Sequence, residues 1–563
     1  MRVIIIGGVA GGATAAARIR RLDEKAEIII FEKSGYISYA NCGLPYYIGG
    51  VIEDKEELTL QTPESFWERF NIDVRVQNEA LEINPENKTV TVKNLKTGEV
   101  YTESYDKLLI STGAKPTRPQ MQGIDLDNVF TLRTVEDTYN IKNFVDECKP
   151  KSAVVVGGGF IGLEVAENLN EMGVDVKILQ RPDHLLNTLD YDMATLVHSR
   201  FRKNGVKLKF GVSVQGFEKA ERGVDVLIKG EEPINADMVL LAIGVTPDST
   251  LAKNAGLDLG IKDSIVVNDR METSARNIYA VGDAVQVKHS ITGDNAVISL
   301  AGPANKQGRI AADNICGGDS RYKGSMGSSV IKIFDMTVAS TGLTEKLAKA
   351  SEIDYDKIVL SPMSHAGYYP GGKVMTMKVV FEKSTQRIIG AQIVGFDGVD
   401  KRIDVLATAM NFGATASDLK DLDLAYAPPY SSAKDPVNMA GFVIENIGAG
   451  KMKQFHWDDI SRLQNENGIT LLDTRTPFEY SRGHIDGFIN IPVDELRSRM
   501  DEIDKSKPLY VMCQSGLRSY ISCRILAQNG FDCYNFSGGY RFYESVIKEK
   551  SISEKSYPCG MDK

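Results

Sequence analysis

No stretch of the 563 residues approaches the roughly 20 consecutive apolar residues that a membrane helix needs. The apolar run at residues 3–6 stops at Gly7, and no leader-like apolar region of about 7–15 residues follows it. Cysteine is sparse and unpatterned: seven residues, at 42, 148, 316, 513, 523, 533 and 559. An odd number without a CxxC pair excludes both a disulfide framework and a zinc knuckle. Such usage implies a compartment that keeps thiols reduced, so a cytoplasmic location is expected. An excess of basic residues is also missing. The net charge is −9, which argues against a general binder of nucleic acid or membrane surfaces. A local basic pocket for a phosphorylated substrate remains compatible with that charge. What is present is ordinary globular chemistry, 42% hydrophobic and 25% charged. At about 150 residues per domain, the length suggests three or four domains.

The most informative feature is an internal repeat. RVIII at 2–6 leads into GGVAGG at 7–12, a helix-like segment, and a second strand ending at Glu32-Lys33. AVVV at 153–156 leads into GGGFIG at 157–162, another helix, and a strand ending at Gln180-Arg181. Each reads as a βαβ unit whose glycines permit a tight turn and let helix N-terminal amides approach a pyrophosphate. The turn residues singled out are Gly7, Gly8, Ala10, Gly11 and Gly12 in the first copy and Gly157, Gly159 and Gly162 in the second. The first copy departs from the pattern, because Val9 stands where the middle glycine belongs. One such turn is weak evidence, whereas two in the same strand–turn–helix context are strong. Two further strand-to-turn segments follow: one ends at Thr112-Gly113, the other at Gly282-Asp283, whose acid suits a cofactor's ribityl chain.

These segments, with LAYAPPYSSAKDPVNMAG at 424–441, resemble the pyridine nucleotide–disulfide oxidoreductase family. SYANCG at 38–43 resembles its single-cysteine branch, which contains coenzyme A disulfide reductase and NADH oxidase and peroxidase. Residues 455–550 resemble a rhodanese domain through LLDTRTPFEYSRGHIDGFINIP, CQSGLRS and GGYRFY. The whole is similar to coenzyme A disulfide reductase–rhodanese fusions that act on persulfide or polysulfide. The expected class is α/β, with two Rossmann-like dinucleotide-binding domains, an α+β dimerisation domain and an α/β rhodanese domain. The expected division is FAD-binding at 1–115 and 245–326, NAD(P)H-binding at 116–244 and dimerisation at 327–446. A linker at 447–454, the rhodanese domain at 455–550 and a tail at 551–563 complete it.

Cys42 sits in a glycine-bounded loop ahead of a helix, a setting that tends to depress a thiol pKa. No second cysteine follows four or five residues on, so no local disulfide forms. A lone thiolate can cycle through a mixed disulfide with a small thiol, or through sulfenic acid. The resemblance favours the first. Peroxidase and oxidase relatives carry a His in the first glycine loop, where this chain has Ala10. The resemblance implies that Thr14, Arg18, Arg21, Ser38, Asn41, Asn305 and Lys434 contact coenzyme A, with Asn305 replacing a relative's His. Arg18 and Arg21 share one helix face, which could otherwise be an ordinary solvated basic face. Tyr368 and Tyr426 match a tyrosine pair that the resemblance places near the sulfur, where a phenol can protonate a leaving thiolate.

CQSGLRS places Cys513 at the start of a tight loop ending at Arg518. Loop amides and the guanidinium are expected to cradle an anionic sulfur. Cys148, Cys316, Cys523 and Cys533 read as small hydrophobic residues, and Cys559 as a tail thiol. The implied activity is an FAD-dependent, NAD(P)H-driven reduction of coenzyme A persulfide, polysulfide or disulfide, in a homodimer without metal. An NADH oxidase, or a sulfurtransferase whose flavin half is regulatory, are the alternatives. Gln180-Arg181, where an NAD site usually has an acid, implies that NADPH serves at least as well as NADH.

Overall fold

Branched aliphatic residues fill the strand Arg2–Ile6 because it is covered on both faces. It lies at the centre of a five-stranded parallel sheet in the order Ile278–Ala280, Lys107–Ile110, Arg2–Ile6, Glu27–Glu32, Asp73–Val76. Val3, Ile4 and Ile5 have no exposed surface. Continuous rather than alternating hydrophobicity is what a doubly covered parallel strand requires. A second five-stranded parallel sheet repeats the plan, in the order Val129–Phe130, Met238–Leu241, Ser152–Val156, Asp175–Gln180, Lys207–Phe210. The computed structural model describes residues 1–555. These fall into two compact units, one of Met1–Pro182 with Asn204–Gly327, the other of Asp183–Lys203 with the chain from Ser328 onward. Both parallel sheets lie in the first.

The two glycine turns share their backbone geometry at the first and last glycine. Gly7 N–H donates to the Phe31 carbonyl and Gly157 N–H to the Leu179 carbonyl, each at 2.8 Å. Their φ angles are 99° and 111°, in the region that favours glycine. A Cβ on Gly12 or Gly162 would collide with the carbonyl of Gly7 or Gly157, so the last glycine of each turn lets the helix close onto the strand.

The second unit carries a five-stranded antiparallel sheet, ordered Ser329–Ile333, Met336–Gly342, Ile388–Gly395, Thr376–Glu382, Tyr355–Leu360. It also carries a parallel sheet ordered Lys453–Phe455, Cys533–Phe536, Leu509–Met512, Thr470–Asp473, Ile489–Asn490. The C-terminal sheet is docked on the antiparallel one. The Val359 amide donates to Ser537 Oγ at 2.9 Å and Gln454 Nε2 donates to the Lys357 carbonyl at 2.7 Å.

The helix Tyr191–Lys203 belongs to this unit and is tied both to its antiparallel sheet and to its C-terminal part. Lys378 is fully buried beneath Asp192 at 2.8 Å, Asp190 at 3.0 Å and Glu345. Burial opposes the Lys378 charge, but Asp192 and then Asp190 and Glu345 more than offset it and hold the ammonium above its ordinary range. From the C-terminal side, Trp457 Nε1 donates to Asp192 at 3.2 Å and Arg202 pairs with the buried Glu549 at 3.0 Å. Among the described residues no helix is long and apolar enough to cross a membrane.

Candidate active site: two cysteines

Both glycine turns suit a dinucleotide. Their helices, Ala10–Leu22 and Phe160–Glu171, begin at Val9 and Gly159 without a side-chain cap, which leaves first-turn amides available to an anion. Glu32 accepts the Gly8 amide at 2.8 Å and the Ser34 amide at 2.9 Å. Gln180 does the same in the second turn, accepting the Gly158 amide at 2.9 Å. Sequence position suggested that Gln180 faces a ribose; the structure buries it inside the turn, with Arg181 exposed beside it. Lys33 points away to Glu79, at 2.7 Å. Thr112 Oγ1 donates to the Asp248 carbonyl at 2.6 Å, and the adjacent Gly113 has a φ of 69°. The Gly282 amide donates to Gln307 at 2.7 Å, while Asp283 accepts Arg133 Nη2 at 2.8 Å. These residues fit a flavin dinucleotide in the first sheet and a nicotinamide dinucleotide in the second.

Cys42 occupies a single turn of 3-10 helix, Asn41–Gly43, between the strand Ile37–Tyr39 and the five-residue helix Leu44–Ile48. Its side chain is exposed. The expectation of a depressed pKa fails here. Desolvation by the surrounding residues, and then the Glu164 carboxylate, push the thiol up, with Arg133 pulling the other way. Glu164 is itself pushed up to about 7, chiefly by burial, and lies 3.5 Å from the Tyr46 hydroxyl. Sequence reasoning missed Glu164; its one signal was an acid in the otherwise apolar first turns after GGGFIG.

Thr14 and Asn305 meet although they lie 291 positions apart, Thr14 Oγ1 donating to Asn305 Oδ1 at 2.5 Å. Arg18, expected to contact coenzyme A, is held by Asp313, which accepts its Nε at 2.7 Å. Arg21 is exposed on the same helix, and Asn41 is half-buried. Ser38 adopts a φ of 45° and its amide donates to the Gly8 carbonyl at 2.8 Å, tying the cysteine loop to the first glycine turn. In the second unit the hydroxyls of Tyr368 and Tyr426 meet at 2.7 Å on an exposed surface that also carries Lys434.

Cys513 follows the strand Leu509–Met512 and is fully buried. Its sulfur accepts the Gly516 amide at 3.2 Å and the Ser519 hydroxyl at 3.3 Å. Gly516, with a φ of 95°, turns the loop back so that this amide faces the sulfur. Arg518 donates through its two terminal nitrogens to Glu479 at 2.6 and 2.7 Å, and its charge also acts on Cys513, whose sulfur receives an amide and a hydroxyl as direct hydrogen bonds. Ser519 and Glu479 were both missed, although Thr476 and Glu479 spell a capping box. Cys523 and Cys533 are buried in the core as expected, whereas Cys148 is exposed, contrary to its reading as a core residue. Cys559 lies outside the described residues.

Comparison with known proteins finds three family matches along the chain. Residues 1–308 match the pyridine nucleotide-disulphide oxidoreductase family, 328–436 that family's dimerisation domain, and 456–545 the rhodanese-like domain. The chain is 39% identical to coenzyme A disulfide reductase of Staphylococcus epidermidis over 442 residues, covering 78% of this chain and 99% of that one. It superposes on reduced CoADR-RHD of Bacillus anthracis with a TM-score of 0.95 at 48% identity, covering 97% and 98% of the two chains. An NAD-dependent persulfide reductase from A. fulgidus gives 0.90 at 38% identity, covering 96% and 100%. With two equivalent dinucleotide turns, one isolated cysteine beside the first, and a family match over more than half its length, the chain belongs to the pyridine nucleotide–disulphide oxidoreductase family.

Proposed function

We propose that this enzyme reduces coenzyme A persulfide, and coenzyme A disulfide, with electrons from NAD(P)H. The observation that carries the reading is the lone Cys42, set in a chain that matches the persulfide reductase along 96% of its own length, rhodanese domain included. When bound, FAD takes a hydride from the nicotinamide and supplies the electron pair that opens a disulfide. The protein's own residues do the rest. Cys42 forms a mixed disulfide with coenzyme A, and its reduction frees the Cys42 thiolate and the coenzyme A thiolate. The Cys42 thiolate then attacks the inner sulfur of coenzyme A persulfide, expels HS⁻ and restores the mixed disulfide. Attack on coenzyme A disulfide expels coenzyme A thiolate by the same bond exchange.

The Tyr368–Tyr426 pair supplies a proton to the leaving group, since one phenol of a hydrogen-bonded pair can donate outward while accepting from the other. Thr14, Arg18, Arg21, Ser38, Asn41, Asn305 and Lys434 position coenzyme A. The chain acts as a homodimer in the cytoplasm, in which Tyr426 and Lys434 reach the partner subunit's Cys42. The match to the family's dimerisation domain supports the pairing. Ala10, in place of a proton-handling side chain at the first turn, favours disulfide over peroxide chemistry.

The direct test is an intact-mass measurement of the freshly isolated protein. A coenzyme A-sized adduct on Cys42, released by reductant, is the expected result. A sulfenic acid without an adduct would move the chain to the oxidase branch.

A further inference from the structure

Two arginines stand at the Cys513 loop, and both are already matched by carboxylates. Arg518 holds Glu479 through two parallel bonds of 2.6 and 2.7 Å. Arg475 is buried, binds Asp473 at 2.7 Å, donates to Gln514 at 3.3 Å and lies over the Tyr540 ring at 4.1 Å. Glu479 is a fixed anion. Arg518, and then the Thr476 amide and hydroxyl, hold its carboxyl down at about 2. Thr476 donates to it twice at 3.0 Å. The residues adjoining this ion pair in the chain are apolar and exposed, Phe478 at 69% and Leu517 at 58%. The Arg482 guanidinium lies over the Phe478 ring at 5.6 Å.

A small dianion entering such a loop would have to compete with Glu479 for Arg518, and would meet two apolar side chains. A persulfide on an uncharged carbon chain meets neither obstacle. We infer that Glu479 sets the donor specificity of Cys513, making the loop a site for organic persulfides and disfavouring sulfur oxyanions such as thiosulfate. This rests on the reading of Cys513 as an acceptor of sulfane sulfur. With an organic donor, the Cys513 thiolate attacks the outer sulfur of R–S–SH. The S–S bond of the donor breaks, R–S⁻ leaves with the electron pair, and Cys513–S–SH forms. With thiosulfate the same attack expels sulfite and leaves Cys513–S–S⁻. Neither exchange needs a further oxidant or reductant.

The test charges the full-length holoenzyme without NAD(P)H and follows the Cys513 peptide by mass spectrometry. The donors are thiosulfate and the persulfide of N-acetylcysteamine, an uncharged thiol. In the wild type the organic donor should charge Cys513 at least about tenfold faster. Glu479→Gln keeps an oxygen acceptor for Thr476 and removes the charge together with one of the two acceptors that hold Arg518. It should raise the thiosulfate rate about tenfold and leave the organic rate within about threefold. Phe478→Ala should slow the organic donor and spare thiosulfate. Equal rates in the wild type, or a thiosulfate rate unmoved in Glu479→Gln, overturn the inference. Should Glu479→Gln misfold, the wild-type ratio and Phe478→Ala decide it. If neither donor charges wild-type Cys513, the underlying reading of Cys513 falls, a failure distinct from equal charging by both.

Discussion

Cys42 and Cys513 are the two sulfur nucleophiles of the proposed reaction, and their surroundings are built in opposite ways. Cys513 is fully buried, yet receives an amide and a hydroxyl from within six residues of itself. Cys42 is exposed, yet its thiolate is disfavoured by desolvation and by Glu164. The carboxylates beside them diverge in the same sense: Glu479 sits at about 2 because Arg518 holds it, and Glu164 at about 7 because burial isolates it. The lesson is that exposure does not make a thiolate. A persulfide anion is stabilised by local donors, so Cys513 is equipped to carry one. The proposed cycle, in which Cys42 rests as a mixed disulfide, accords with surroundings that disfavour its thiolate.

The comparison can be broken most sharply at Cys42. Cys42→Ser should abolish every NAD(P)H-dependent reduction, while Cys513 in the same variant still accepts sulfur from an organic persulfide. A steady-state assay beside a Cys513 mass measurement checks both. A smaller effect is expected from Ser519→Ala, which removes one of the two donors to Cys513. It should slow persulfide formation there by about tenfold and leave coenzyme A disulfide reduction unchanged.

The two carboxylates predict opposite pH dependences of stability, each referred to an ordinary carboxyl value of 4.5. For Glu479 the folded value is depressed, so its contribution is present above about 4.5 and lost as pH falls toward about 2. Solvent around the pair limits this to about 1 kcal/mol. Glu164 has a raised folded value, so its contribution is full below about 4.5 and lost as pH rises through about 7. Urea titrations across pH should show Glu479→Gln flattening the acid limb and Glu164→Gln flattening the neutral one. The smallest expected effect is on Cys42 itself. Because desolvation is the larger cause and Glu164 the second, Glu164→Gln should lower the Cys42 thiol pKa only in part, read from alkylation rates against pH.

Nucleotide preference sharpens the comparison of the two glycine turns. Glu32 and Gln180 hold equivalent amides, but only Glu32 is charged. A neutral Gln180 beside an exposed Arg181 leaves room for a 2′-phosphate, so NADPH should serve at least as well as NADH. A kcat/KM preference for NADH above about tenfold contradicts this.

Much of this was legible in the sequence because it is carried by short, local patterns. The glycine turns, the isolated Cys42 and the Cys513 loop each occupy fewer than ten consecutive residues, and their backbone geometry follows from glycine placement. What was not legible is side-chain pairing over distance. Nothing in a helix bearing Arg18 announces Asp313, 295 positions on, and nothing in CQSGLRS announces Glu479. The sequence places Gln180 at the end of its strand but leaves its side-chain direction open, because strand alternation fixes a face and not the rotamer; the structure turns it to the Gly158 amide. The Tyr191–Lys203 helix was read with its neighbours in sequence, while the ion pairs of Lys378 and Glu549 assign it to the second unit.

The measurement that bears most directly on the central claim is a side-by-side steady-state assay of Cys513→Ser on coenzyme A persulfide and on polysulfide. If Cys42 alone takes electrons and Cys513 only passes sulfur, the variant should reduce coenzyme A persulfide almost as the wild type does and turn over polysulfide markedly more slowly. Equal impairment on both substrates would contradict an upstream role for Cys513, and impairment on neither would remove it from the relay.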